Sequence, residues 1–358
     1  MIGILEIEKE LLQKEGVQAV HNKETHCGFF APIKNEKMST PKISIVLATK
    51  GNKEILLEKC LKSLRKQTFQ EFEIILVYSI FPKGLNELIE NTNINILKEN
   101  SATLSAARNL GIKQAKGELI VFIDDDAEAP ENWLCKIYST FQQHPSIACL
   151  GGPNITPSEE SEKNPLRSAQ GAFVESRFGQ NVCLDRSAVA KIAGCNVAYR
   201  SEVFEKIGYL NESLRSGEDW EYHIRLVENG YHIRFDPEIK VWHHRQGLKH
   251  AFWNMSRMVP FFLSWKTLKY SKSESFFASF YLTNSLFLLL LITLFISPFA
   301  FVLILAFSLL GHFIYTAVRT KTYNWRLAYY PLQIIVTLAQ ITGFYFGLIQ
   351  QLASKFQH

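Results

Sequence analysis

The sequence lacks the glycine signatures of the common nucleotide-binding folds. It holds no GxGxxG and no GxxxxGK[ST], which argues against a dinucleotide oxidoreductase and against a P-loop ATPase. It has no CxxC pair. Its six cysteines are scattered, a spacing that reads as buried, reduced thiols in a cytoplasmic domain. No basic stretch followed by an apolar core opens the chain, so no secretory signal is visible. Charge is missing from two long tracts: Phe276 to Val318 and Leu327 to Ser354 contain no Asp, Glu, Lys or Arg. Acid alone is missing between Glu238 and Glu274, where basic residues remain. The formal net charge of +5 over 358 residues is too modest for a nucleic-acid partner, and none is expected.

What is present, from Lys42 onward, is an alternation of apolar strands and amphipathic helices. Ile43–Ala48, Phe72–Tyr78, Ile94–Leu97, Leu119–Ile123 and Ile147–Leu150 read as strands. Glu54–Gln67, Ala102–Ala115 and a segment opened by Pro130 read as helices between them. This order predicts an α/β domain with a mostly parallel sheet and right-handed crossovers. Gly151–Ala193 is irregular and too long for a simple connector, which suits a lid or binding loop. Order returns with Gly194–Arg200, a helix through Val203, Phe204 and Ile207, and a helix from Ser216–Glu221 to about Asn229. Two further strands, Tyr231–Phe235 and Ile239–Trp242, end at His243 and His244.

The strand Leu119–Ile123 ends in Asp124, Asp125 and Asp126. Strand alternation, continued through them, points Asp124 and Asp126 one way and Asp125 the other. Two carboxylates at the carboxyl end of a central strand suit a hard divalent cation, Mg²⁺ or Mn²⁺, that also holds a phosphate. The alternative is a solvated acidic turn capping the helix at Pro130. A second acidic pair, Glu218–Asp219, opens a later helix, where it would also be favourable with the helix dipole alone. His243 is either a metal ligand or a satisfied structural histidine. Transfer from a nucleotide diphosphate donor needs these parts: a cation for the leaving diphosphate, a carboxylate base for the attacking hydroxyl, and an imidazole to complete the metal shell.

Leu248–Tyr270 combines Phe252, Trp253, Phe261, Phe262 and Trp265 with Lys249, Arg257, Lys266 and Lys269. It reads as a membrane-surface helix, or as an amphipathic helix docked on the soluble domain. Phe276–Ser297 and Phe299–Val318, separated by Pro298, are long enough to span a bilayer, and Leu327–Ala353 is a third apolar stretch. The basic flanks Lys266–Lys272 and Arg319–Arg326 place the soluble domain on the cytoplasmic side of a multi-pass cell-membrane protein. The organisation expected is a 1–41 arm that is dispensable, with Met38 a plausible start; a 42–246 catalytic domain; a 247–275 surface segment; and two to three transmembrane helices in 276–354.

The strings ISIVLATKGN, SAARNLGIKQAKGELIVFIDDD, GCNVAYRSEVFEKIGYL and GEDWE, in that order, resemble the family 2 glycosyltransferases of the GT-A fold. The resemblance covers about Lys42–His244. It implies inverting transfer of a sugar from a nucleotide-sugar, most commonly a UDP-sugar, to an acceptor hydroxyl. It implies a metal bound by Asp126, Asp124 and His243, with Asp126 the direct ligand. Asp219 falls at the catalytic base, with Glu218 beside it to orient the acceptor or tune the base. Thr49, Arg108, Asn109, Asp124 and Asp125 fall at nucleotide-sugar positions. The second strand ends Val77-Tyr78-Ser79, where the family usually has an acidic residue, so Tyr78 takes the base or ribose. No QxxRW string occurs, which favours addition of one or a few sugars. The expected acceptor is a lipid-linked saccharide or membrane lipid in envelope glycan biosynthesis. Two other readings remain. One is a catalytically silent GT-A-like scaffold that binds nucleotide-sugar in a membrane assembly complex. The other is a nucleotidyltransferase, for which Ala48–Asn52 offers only one Gly and one Lys.

Overall fold

The computed structural model describes residues 40–82, 94–100, 103–159, 182–244, 247–264, 275–320 and 330–355. The chain divides into two units, Met1–Lys37 and Met38–His358, and the described residues all belong to the second. The N-terminal arm, most of the loop after Gly151 and the flanks Lys266–Lys272 and Lys321–Arg326 lie outside the described residues.

The sheet is built from β1 (Ile43–Thr49), β2 (Phe72–Tyr78), β3 (Ile94–Lys98), β4 (Leu119–Ile123), β6 (Ile147–Gly151), β8 (Cys183–Leu184), β9 (Asn196–Arg200) and β10 (His232–Phe235). Its order is β3-β2-β1-β4-β9-β6-β10-β8. β1 pairs in parallel with β2 and β4, and β2 with β3. β9 enters between β4 and β6 and is antiparallel to both. The sheet is therefore mostly parallel but reverses beside its central strand, which periodicity alone does not reveal.

Every residue of β1 and β4 is buried, and their alternation feeds two cores. Ile43, Ile45, Leu47, Leu119, Val121 and Ile123 meet α1 (Glu54–Arg65) and α3 (Trp133–Gln143). Val46, Ile120 and Phe122 face the other layer, with Ile112 of α2 (Leu104–Gln114), Phe204 of α4 (Glu202–Ile207) and Tyr222 of α5 (Glu218–Glu228). Thr103 caps α2 by accepting the Ala106 N–H at 3.3 Å. Cys60, Cys149 and Cys195 are buried free thiols and Cys183 a half-buried one.

A small second sheet sits at the carboxyl end of the first. β5 (Ala127–Glu128), β11 (Val241–His243) and β7 (Asn154–Ile155) run in the order β5-β11-β7. It decides where His243 goes, because β11 pairs with the residues directly after the acidic triplet.

After β11 come α6 (Gly247–Arg257), α7 (Val259–Phe262), α8 (Ser275–Ile296), α9 (Pro298–Thr320) and α10 (Tyr330–Lys355). Pro298 starts α9 at a favoured first position, and Ser297 Oγ accepts the Ala300 N–H at 3.3 Å. α6 is docked rather than lying free: Phe252 and Trp253 meet Phe346 of α10 at ring distances of 5.5 and 5.6 Å. Among the described residues, one stretch, Ile334–Ser354, is long and apolar enough to cross a membrane. Tyr281–Leu294 and Phe299–Gly311 are shorter apolar stretches. The described residues thus hold one candidate span where the sequence predicts two to three.

Candidate active site

β4 stops at Ile123, and the triplet that follows forms a turn, closed by the Ala127 N–H donating to the Asp124 carbonyl at 3.1 Å. The alternation expected for a continuing strand therefore fails here. All three carboxylates line one cavity of about 1140 Å³. Asp125 and Asp126 are buried, and Asp124 is partly open.

Each carboxylate has its own partner. Lys53, at the start of α1, donates to Asp125 at 3.1 Å and to Asp126 at 2.7 Å. Thr49 Oγ1 donates to Asp125 at 2.7 Å and accepts the Gly51 N–H at 3.0 Å. Burial opposes the Lys53 charge, but Asp126 and then Asp125 outweigh it and raise the Lys53 pKa. Burial pushes the Asp125 carboxyl up, against the pull of Lys53 and Thr49. Burial acts the same way on Asp126, but His243 and then Lys53 hold it well below the usual carboxylate range. Lys53 has no place in the sequence reading. Its signal was a lysine at the mouth of the first helix, opposite strand-end acids.

The β11–β5 pairing sets His243 opposite Ala127. Its Nε2 lies 3.2 Å from Asp126 Oδ1 and 3.8 Å from Asp124 Oδ2. His244 turns to the other side and meets Glu128 at 2.8 Å. Asp124, Cys195 and His243 bring one ligand atom each to within 4.8 Å of one another. Carboxylate oxygens and an imidazole nitrogen converging on one point fit Mn²⁺, and less closely the all-oxygen habit of Mg²⁺. The Cys195 sulfur instead accepts from Asn154 Nδ2 at 3.2 Å and is a poor ligand for a hard cation.

Across the cavity, Gly217 opens α5 at φ +85°, a conformation that favours glycine. A Cβ there would also sit 3.0 Å from the Phe261 ring. Asp219 lines the cavity, half-buried. One oxygen accepts the Gly194 N–H at 2.7 Å and the other the Trp220 N–H at 2.8 Å, so the carboxylate is fixed by backbone. Glu218 turns inward and takes Arg108 Nη1 at 3.0 Å.

Arg108 joins the two sides. Its guanidinium is buried, 2.9 Å from Asp124, 3.0 Å from Glu218 and 2.8 Å from the Gly194 carbonyl. It also lies 5.0 Å over the Phe122 ring. These partners occupy the group that the sequence reading gives to the nucleotide. Asn109 bonds the Leu210 carbonyl and Glu212 at 2.9 and 2.8 Å. Tyr78 packs edge-on against Phe81 at 5.3 Å. Neither lines the cavity, so the structure gathers the three aspartates, Thr49, Arg108, Glu218, Asp219 and His243 but leaves those two aside.

Burial and the neighbouring Asp219 push Glu218 up to about 7, against the pull of Arg108. From the ordinary value of 4.5 up to about 7 the folded chain keeps a proton that the unfolded chain has released. Its contribution to stability must then decline as pH rises through that window. Thermal melts of Glu218→Gln across the same window should show a flatter pH dependence than the wild type. An unchanged slope would rule out Glu218 as its source.

Residues 44–208 match the model of glycosyl transferase family 2, and the chain carries a family 2 glycosyltransferase domain. Over 148 residues it is 30% identical to a pre-mycofactocin glycosyltransferase of Mycobacterium tuberculosis, covering 40% of this chain and 31% of that one. Over 205 residues it is 37% identical to the uncharacterized glycosyltransferase EpsJ of Bacillus subtilis, covering 55% and 59%. The chain thus spans only 31% to 59% of the length of these two relatives. Among solved structures, the fold is similar to a mannosyltransferase of Pyrobaculum calidifontis in complex with GDP-Man and Mn²⁺. That match has 15% identity and a TM-score of 0.50, over 85% of this chain and 88% of that one.

Proposed function

We propose that this chain transfers a sugar, with inversion, from a nucleotide-sugar of the UDP type to a hydroxyl of a lipid-linked saccharide or membrane lipid in envelope glycan biosynthesis. The observation that carries the proposal is the pairing of Asp219 with the acidic turn across one cavity. A direct displacement needs a base on the face opposite the leaving diphosphate. Asp219, which lines the same cavity, is held as a hydrogen-bond acceptor by the Gly194 and Trp220 N–H groups, and on this reading it is that base. It takes the acceptor proton. Glu218 and Arg108 fix the helix that presents it. Asp124, Asp126 and His243 would hold Mn²⁺ or Mg²⁺, which when bound would supply positive charge against a diphosphate leaving group. Lys53 balances Asp125 and Asp126. Asp125, oriented by Thr49, shapes the nucleotide side.

The membrane part of the proposal is supported by exposed apolar surface. Leu288, Leu291, Ile292, Ile296, Phe299, Val302, Phe307 and Leu310 of α8 and α9 are all exposed, far more than a soluble surface leaves open. We place α8, α9 and α10 in the cell membrane with the catalytic domain on the cytoplasmic side, where basic flanks would hold it.

Asp126→Asn tests the metal side. Calorimetric titration with UDP, with and without Mn²⁺, should show that the folded variant loses most metal-dependent binding; its melting temperature should also fall, because Lys53 and His243 lose a charged acceptor. Wild-type Mn²⁺ dependence would remove Asp126 as ligand. Metal-dependent donor binding by the wild type without hydrolysis or transfer, over a range of nucleotide-sugars, would instead favour a silent scaffold.

A further inference from the structure

The cavity has a second half that the transfer chemistry does not use. Besides the two acidic groups, its wall includes the loop before α5, one face of α6, and parts of α8, α9 and α10. Three basic side chains stand on that stretch: Arg215, His250 and Arg257. All three are exposed. Among the described residues none of them has an acidic partner. His250, Asn254 and Arg257 recur at helical spacing, so one face of α6 presents them together. Ser216 fixes Asn254 with a 2.7 Å hydrogen bond. His250 lines the same cavity as Asp126 and His243.

The wall also carries apolar side chains, Leu282, Phe287 and Leu290 of α8 and Leu338 and Ile341 of α10. The opposite face of α6 is fixed to α10 by close backbone approach. A Cβ at Gly343 would lie 2.2 Å from the Phe252 carbonyl oxygen, and one at Gly347 would lie 2.3 Å from that of Ser256. Larger residues there would push the helices apart. The basic and apolar residues line the same cavity, and this packing fixes the helices that carry them.

Such a wall is complementary to a ligand with a reactive hydroxyl at one end, an anionic group next to it and a hydrocarbon chain beyond. Two guanidinium forks and an imidazole suit the oxygens of a phosphate, which accept several hydrogen bonds at once. We infer that Arg215, His250 and Arg257 hold the phosphate or diphosphate of a long-chain lipid acceptor, with its hydrocarbon chain against α8 and α10. The inference rests on the assignment of Asp219 to the acceptor side.

The test uses the full chain in detergent micelles and metal-free buffer, so that the donor side does not draw the phosphate. Farnesyl phosphate, farnesol and inorganic phosphate are titrated separately by calorimetry. Farnesyl phosphate should bind roughly tenfold or more tighter than either of the others, the scale of one charge-assisted hydrogen bond. In the double variant Arg215→Gln, Arg257→Gln the advantage over farnesol should collapse. Melting temperature controls for folding, and His250→Gln alone gives a milder second variant. Equal binding of farnesol would leave an apolar groove without a phosphate site. Equal binding of inorganic phosphate would leave an anion site without a lipid. An undiminished preference in both variants would overturn the residue assignment. Mn²⁺-dependent UDP binding, measured in parallel, reports on the donor side alone, so a failure of the transferase reading would be seen separately.

Discussion

Asp219→Asn should lower turnover by about 10²–10⁴-fold, the usual contribution of general-base assistance, with little change in nucleotide-sugar affinity in Mn²⁺. The substitution keeps the shape of the side chain but removes its ability to take a proton. It also turns one of two acceptor oxygens into a donor, facing either the Gly194 or the Trp220 N–H. That loss costs stability by about 1 kcal/mol, so the melting temperature should fall slightly. A rate loss far larger than the stability loss separates chemistry from packing. Near-normal turnover would remove Asp219 as the base. A lost donor affinity would place it in the nucleotide pocket and make Glu218 the next candidate. Glu218, however, is already engaged by Arg108.

Arg108→Ala should be the most destabilising single change in the site, by about 3–5 kcal/mol, because it removes the shared partner of a buried ion-pair network. Glu218 loses its partner inside the fold, and Asp124 loses its anchor beside the metal position. Arg108→Lys should recover part of the stability only, since one ammonium cannot present the guanidinium fork to Asp124, Glu218 and the Gly194 carbonyl together. Denaturant unfolding of the two variants measures the first effect, and their donor KM measures the alternative. Unchanged stability with a raised donor KM would return Arg108 to the nucleotide-contact role that the family resemblance implies.

The strands β2 and β4 were legible to the residue, and β1 to within one residue of its end. They are continuous apolar runs, and burial on both sheet faces demands that composition whatever lies beside them. The start of α5 was legible too, because acids at a helix N-terminus after a glycine carry a local signal. The reversal at β9 was not, since an antiparallel buried strand has the same composition as a parallel one. The side assigned to Asp125 failed for a related reason: a turn replaced the strand just where alternation was being extended.

By itself the sequence determined which chemical groups this protein brings to a site: three strand-end carboxylates, an acidic pair at a helix start, a terminal histidine and a charge-free apolar tail. These follow from residue type and short-range periodicity, which need no knowledge of neighbours. Only the tertiary structure decided their partners. Strand pairing chose His243 over His244 for Asp126. It set Lys53 between Asp125 and Asp126, and Arg108 between Asp124 and Glu218. The reason is that these contacts join segments far apart in the chain. Strand order and burial fix them, and both are properties of the whole fold rather than of any stretch of sequence.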